Sequence, residues 1–331
     1  MKHISIIIPA YNIEKYVRKC VESCESQDLA KEEYEVIIVD DGSTDSTASI
    51  VRELQSSYDN IKYIYQENAK QGAARNRGLR EATGEYIWFV DGDDWIAENC
   101  LSRIVKRLKS DNLRGVLVGH AKQYQDHLKI WDNFDETIIQ SGKEILSNGC
   151  IYISPTYAIW EHEYLIKIGF NFVEKVYHED LGSFPRLFFE ADRIGYINEK
   201  CYFILSSANS TTRRVNPQKA FDLIAIANRN NEFRLHANDS KIDLVFNNLI
   251  SLTVNSSLMH SYNRDVDMQN NLNTLLYENR HLLDCLIKSS KIKYKIEGLL
   301  FRLFPKRYIQ TYQFMQRLNP HPGDNMMETG F

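Results

Sequence analysis

Three stretches of this 331-residue chain are apolar almost from end to end and stop abruptly at polar or turn residues: "ISIIIPAYN" at 4–12, "YEVIIVDDGSTDST" at 34–47 and "EYIWFVDGDD" at 85–94. A strand with one face in water alternates apolar and polar residues. These runs do not alternate, so they need apolar neighbours on both sides, as in a parallel sheet covered by helices. The segments between them read as those helices. Ile13, Tyr16, Val17, Cys20 and Cys24 fall on one helix face. "GSTDSTASIVREL" opens with capping Ser, Thr and Asp residues and continues to Ile50, Val51 and Leu54. "QGAARNRGLREATGE" offers helix formers and a stop at Gly84. With "IKYIYQ" (61–66) as a further short strand, the order predicts an open, doubly wound α/β sheet with right-handed crossovers.

In such sheets ligands bind in the crevice beyond the carboxyl ends of the strands. Three polar terminations fall there: Pro9-Ala10-Tyr11-Asn12, Asp40-Asp41-Gly42-Ser43 and Asp91-Gly92-Asp93-Asp94. Like charges packed this tightly repel, and a hard divalent cation, Mg²⁺ or Mn²⁺, relieves them through oxygen ligands shared with substrate phosphates. Gly92 is expected to let the backbone turn so that Asp91 and Asp93 face one ligand. Asp45 reads as a first-turn acid of the following helix.

Composition excludes several classes. With 40 basic and 44 acidic residues the net charge is −4, so no global field draws the chain to nucleic acid. Six cysteines at 20, 24, 100, 150, 201 and 285 form no CxxC or Cys/His cluster, which fits reduced thiols. The first apolar run ends in proline and is too short for a signal peptide or a bilayer span, so a cytoplasmic protein is expected.

Taken in order, "SIIIPAYNIEKYVRKCVESCESQ", "YEVIIVDDGSTDST" and "NAKQGAARNRGLREATGEYIWFVDGDDW" resemble the family 2 glycosyltransferases of the GT-A fold. "VYHEDLGSFPRLFFEADRIGYINEKCYFILSSANSTTR" (176–213) is similar to the acceptor-side segment of members that build bacterial polysaccharides. The resemblance implies a GT-A catalytic domain over 1–215, its nucleotide-sugar half at 1–110 and its acceptor half at 111–215, followed by a helical region over 216–331. It implies that Pro9, Ala10 and Tyr11 line the base and ribose pocket and that Asp41 accepts from the uracil N–H. Gly72 and Arg75 would approach the nucleotide, with Asp91 toward the ribose, Gly92 between the paired acids, and Asp93 on Mn²⁺ or Mg²⁺. Asp180, in "HED", would be the catalytic base rather than Glu179, and Trp160 an aromatic at the acceptor. The donor would be a nucleotide sugar, a UDP-sugar above all, and the acceptor a glycan or lipid-linked saccharide. The chain departs from the family in lacking a Tyr-Arg pair in "CYFILSSANSTTRR", a role that Arg213 or Arg214 could take. It also lacks QxxRW, which points to addition of single sugars.

The chemistry asks for these residue types independently. Transfer from a nucleotide-diphosphate sugar must stabilise charge on the departing diphosphate, which a metal does without proton transfer. The acceptor hydroxyl needs a carboxylate to take its proton. Two rivals remain: an aspartyl phosphatase, whose acids follow an N-terminal strand instead, and an inactive nucleotide-sugar-binding partner of another transferase. Beyond Pro217 the pattern turns helical. Residues 288–307, "KSSKIKYKIEGLLFRLFPKR", hold seven Lys/Arg and one Glu among apolar residues. Two readings stand: a solvated helix packed on the domain, or an amphipathic segment on the anionic inner face of a membrane. Neither His162 nor His178 is assigned to the metal.

Overall fold

The computed structural model describes residues 2–124, 127–131, 133–148, 154–206, 216–261 and 265–318. Two compact units divide the chain. The first comprises Met1–Glu144, Tyr152–Lys175 and Arg186–Arg213, and the second Ile145–Ile151, Val176–Pro185 and Arg214–Phe331. Two short segments of the stretch expected as the catalytic domain group with the helical unit.

The first unit carries the sheet: β1 (Ile4–Ala10), β2 (Tyr34–Asp40), β3 (Ile61–Tyr65), β4 (Tyr86–Phe89), β5 (Trp95–Ile96), β6 (Gly115–Gln123), β7 (Leu128–Trp131), β8 (Ala158–Glu161) and β9 (Ile194–Leu205). Helices α1 (Val17–Glu25), α2 (Thr47–Ser57), α3 (Lys70–Glu81) and α4 (Leu101–Ser110) alternate with its first strands; α5 (Gly142–Ser147), α6 (His162–Lys167) and α7 (Phe184–Glu190) are short. The strand order is β3-β2-β1-β4-β8-β6-β9-β5, with β7 on β6. The first four strands are parallel, in register from Ile4 opposite Tyr34 to Ala10 opposite Asp40 and from Ile4 opposite Tyr86. β8, β5 and β7 run against the rest. Every residue of β1 and β2 is buried, as their unbroken apolar runs require. Val17, Cys20, Val21 and Cys24 of α1 join the same core.

One sequence expectation changes. α3 ends at Glu81 with Ala82 as its C-cap, so Gly84 does not stop the helix. It lies where the chain crosses β1: a Cβ there would fall 2.5 Å from the Ser5 nitrogen. Its N–H donates to Ser5 Oγ at 2.9 Å.

The second unit is helical: α8 (Gln218–Ala237), α9 (Ser240–Ser261), α10 (Val266–Glu278), α11 (Leu282–Lys288), α12 (Ile292–Leu303) and α13 (Tyr308–Leu318). Asn238, in the left-handed region at φ 45°, closes α8 by donating its N–H to the Arg234 carbonyl at 3.1 Å. α9 then lies along α8, with Ser257 Oγ donating to the Ala220 carbonyl at 2.7 Å. The segment Val176–Pro185 is tied to α8. Tyr177 N–H donates to Asp222 at 2.9 Å, Arg229 Nε to the Gly182 carbonyl at 3.0 Å, and Asn230 Nδ2 to the Leu181 carbonyl at 3.0 Å. These bonds explain why the segment belongs with the helices. Among the described residues no helix is long and apolar enough to cross a membrane.

Candidate active site

The order of the parallel strands reverses direction at β1, between β2 and β4, which opens a crevice at their carboxyl ends. Asp40 and Asp41 lie together there and have different jobs. Asp40 is wholly buried, accepting from Ser43 N–H at 2.8 Å and from the Tyr63 hydroxyl at 2.7 Å, so it builds the turn. Asp41 is anchored through one oxygen only. Its Oδ1 accepts from Gln66 Nε2 at 2.7 Å and Ala69 N–H at 2.9 Å, while Oδ2 receives no hydrogen bond from the described residues. Gly42 follows at φ +79°, a conformation that L side chains rarely adopt. A fixed carboxylate with one free oxygen suits an N–H donor on a planar ring.

Pro9 and Ala10 are buried at the end of β1, and Tyr11 projects into solvent. Asn12 adopts φ 52°, and its Oδ1 accepts from Thr44 N–H at 2.8 Å while its N–H donates to Ser43 Oγ at 3.0 Å. This net ties the β1 and β2 loops into one rim.

The acids after β4 tolerate one another because each has a separate environment. Asp91 Oδ1 accepts from Arg75 Nη2 at 2.6 Å and from Gln71 Nε2 at 2.9 Å. Arg75, buried on α3, lies over the Phe172 ring at 5.2 Å, and Gly72 is buried in the first turn of the same helix. Asp94 is also buried: its Oδ2 accepts from the Tyr202 hydroxyl at 2.7 Å and its Oδ1 from Leu205 N–H at 2.8 Å. The same hydroxyl accepts from Asp91 N–H at 3.1 Å. Burial, then the charges of Asp93 and Asp91, hold the Asp94 carboxyl well above the usual range. Asp93 is the acid left over. No side-chain hydrogen bond reaches it from the described residues, and burial together with the Asp91 charge pushes it up to about 6.

Gly92 stands in a turn, closed by Asp94 N–H donating to the Asp91 carbonyl at 3.0 Å, and is also needed for space. A Cβ there would collide with Ile13 Cδ1 and lie 3.1 Å from the Pro9 carbonyl, and its φ is not positive. Among the described residues no three His, Cys, Asp or Glu side chains converge. Asp91 and Asp93 are the carboxylates at this strand end that could serve a hard cation of the kind that takes one or two carboxylates. Asp93, desolvated and with no side-chain hydrogen bond from the described residues, has the chemistry of such a ligand.

Asp180 lies in the helical unit. Its Oδ1 accepts from Leu181 N–H at 2.8 Å, and its carbonyl accepts from Ser183 and Phe184 N–H. It is half-buried, whereas Glu179 is buried. His178 stands at φ 61°, with its ring 6.1 Å from that of His260. Burial, then His260, pushes its imidazole down to about 4. His162 Nδ1 is hydrogen-bonded to the Gly84 carbonyl at 3.1 Å.

Trp160 overturns its expected role. It has no exposed surface in β8, its ring edge-on to Phe188 at 5.1 Å and near Tyr164 at 6.1 Å, and it fills the space over Gly115. A ring without accessible surface cannot stack on a sugar; it packs the sheet. Arg213 and Arg214 lie outside the described residues. The sequence reading missed Gln66, Gln71 and Tyr202, which hold Asp41, Asp91 and Asp94. Gln71 sits in the stretch already singled out, but nothing local marks Tyr202, 108 residues from Asp94.

Residues 5–169 match the family model for glycosyl transferase family 2. Glycosyltransferase GlyA of Streptococcus pneumoniae is 42% identical over 105 residues, 32% of this chain and 15% of GlyA. The poly(ribitol-phosphate) beta-glucosyltransferase of Bacillus spizizenii is 41% identical over 121 residues, 35% of this chain and 19% of that protein. The chain thus spans far less than two thirds of these relatives. The structure of S. aureus TarS 1–349 in complex with UDP-GlcNAc superposes with a TM-score of 0.76 at 21% identity, covering 98% of this chain and 93% of TarS 1–349. That likeness establishes the GT-A fold.

Proposed function

Because residues 5–169 of this chain carry a family 2 glycosyltransferase domain, we propose that it transfers one sugar from a nucleotide-diphosphate donor, a UDP-sugar, to a hydroxyl of a glycan or lipid-linked saccharide in bacterial cell-surface polysaccharide synthesis. The observation that carries this reading is a pair of carboxylates prepared at the carboxyl ends of the parallel strands on either side of β1. Asp41 is locked with a free oxygen, and Asp93 is desolvated beside the Arg75–Asp91 pair.

Pro9, Ala10 and Tyr11 form the wall of the base and ribose pocket, and Asp41 Oδ2 accepts the uracil N–H. Arg75 and Gln71 orient Asp91 toward the ribose. Asp93 holds Mn²⁺ or Mg²⁺, which when bound neutralises the charge on the leaving diphosphate. Asp180 takes the proton of the acceptor hydroxyl. Its partial exposure suits that task better than the burial of Glu179. A single in-line displacement inverts the anomeric centre and asks nothing more of the chain.

The test is a thermal-shift screen of nucleotides and nucleotide sugars with Mn²⁺, since a ligand bound to the native state raises its melting temperature. UDP with Mn²⁺ should stabilise the chain, UDP alone less so, and Asp93→Ala should abolish the metal-dependent part. No shift from any nucleotide-diphosphate sugar with either metal overturns the proposal.

A further inference from the structure

Helix α12 is apolar on two opposite faces. The inner one is locked in place: Asn255 Nδ2 donates to Glu297 Oε1 at 2.9 Å, and Phe301 meets Tyr308 edge-on at 5.6 Å. Gly298 sits so close to α11 that a Cβ would lie 2.8 Å from Ile287 Cγ1. Tyr294, Glu297, Gly298 and Phe301 are all buried. With that face fixed, the rotation of the helix is fixed.

The outer face then presents Ile292, Ile296, Leu299 and Leu303, which are 73%, 50%, 53% and 70% exposed. At 100° per residue these four fall within about 60° of one another, a line about 16 Å long. Phe304, half exposed, extends it. Lys293 stands on one side of the line and Lys295 and Arg302 on the other, with Lys288, Lys291, Lys306 and Arg307 at the two ends. Arg302 pairs with Asp284. The one acid between residues 288 and 307, Glu297, is turned inward and buried. Solvated helices do not line up branched apolar side chains toward water, and the exposed charges of this helix are lysines and an arginine, with the neighbouring acid Asp284 of α11 taken up by its pair with Arg302.

We infer that α12 docks this chain on an anionic lipid surface, with Ile292, Ile296, Leu299 and Leu303 entering the headgroup boundary and the flanking lysines meeting lipid phosphates. The purpose of docking rests on the proposed function, since a lipid-linked acceptor lies at such a surface; the docking itself does not. The helix lies in the interface plane and spans nothing.

The experiment is co-sedimentation of the full chain with vesicles of phosphatidylglycerol and phosphatidylethanolamine, against vesicles of phosphatidylcholine alone. The chain should pellet with the anionic vesicles, stay in the supernatant with the neutral ones, and release as salt is raised. Two double variants, Ile296→Ser with Leu299→Ser and Lys291→Glu with Lys295→Glu, alter only exposed side chains and should melt with the parent. Each should lower vesicle partitioning by about tenfold or more. Failure of the parent to bind anionic vesicles at low salt overturns the inference, as does undiminished binding by both variants. If instead the serine variant splits a dimer that never binds vesicles, the face belongs to a second copy and the inference falls. No donor or metal is in the assay, so its result is independent of the glycosyl-transfer reading.

Discussion

At the scale of single residues, the question is how neighbouring carboxylates acquire different work. Asp40 and Asp94 are consumed by structure, Asp41 and Asp91 are held by one oxygen, and Asp93 receives no side-chain hydrogen bond from the described residues. Tyr202 is the side chain that keeps this division, because one hydroxyl both donates to Asp94 and accepts from Asp91 N–H. Tyr202→Phe leaves a buried carboxylate short of its donor, a cost of about 1–3 kcal/mol. The expected result is a higher Mn²⁺ requirement and donor KM with a smaller change in kcat, while the conservative ring keeps the fold; unchanged metal dependence would leave Tyr202 a packing residue only. Asp180→Asn keeps size and removes the proposed base. Donor binding should persist while transfer falls by roughly 10²-fold or more, and near-normal transfer would move the base elsewhere.

At the scale of elements, the strands and helices of the first hundred residues follow from periodicity, because runs buried on both faces leave no other arrangement. Glycines were less legible. Gly84 looks in sequence like a helix stop but answers to the close approach of β1, and Gly92 stands in the turn the sequence suggests while also lying against Ile13 and Pro9, a closeness no local pattern reports. Trp160 shows the same limit: an aromatic beside polar residues resembles a binding residue until β8 places it inside the sheet. Trp160→Ala should therefore cost about 3–5 kcal/mol of stability. Trp160→Phe should retain activity with a much smaller loss. A rise in acceptor KM or a drop in kcat for the Phe variant at unchanged melting temperature would restore a direct role in acceptor binding.

At the scale of the whole molecule, all four tryptophans lie in the sheet-bearing unit, so their fluorescence follows that unit alone. His120, buried in β6 and stacked on Tyr157 at 3.8 Å and Trp131 at 5.1 Å, has its imidazole pushed down to about 4 by burial. The unfolded chain takes up that proton near pH 6.5 and the folded chain does not. Stability is therefore full above pH 6.5 and is lost as pH falls toward 4, by on the order of 3 kcal/mol. Asp93, pushed up to about 6, opposes this, since the folded form accepts its proton first. Urea unfolding followed by tryptophan fluorescence should show a shallower acid slope for His120→Gln than for the parent; equal slopes would place the titration elsewhere. The sequence by itself determined the parallel half of the sheet, the strand-end crevice and the acids at its rim, because burial on both faces and the exit of each strand are local properties of the chain. Only the tertiary structure decided which acid is free, which aromatic is buried, and that Val176–Pro185 joins the helices. Hydrogen-bond partners, accessible surface and desolvation all come from residues distant in sequence, and it is those neighbours that set a side chain's charge and reach.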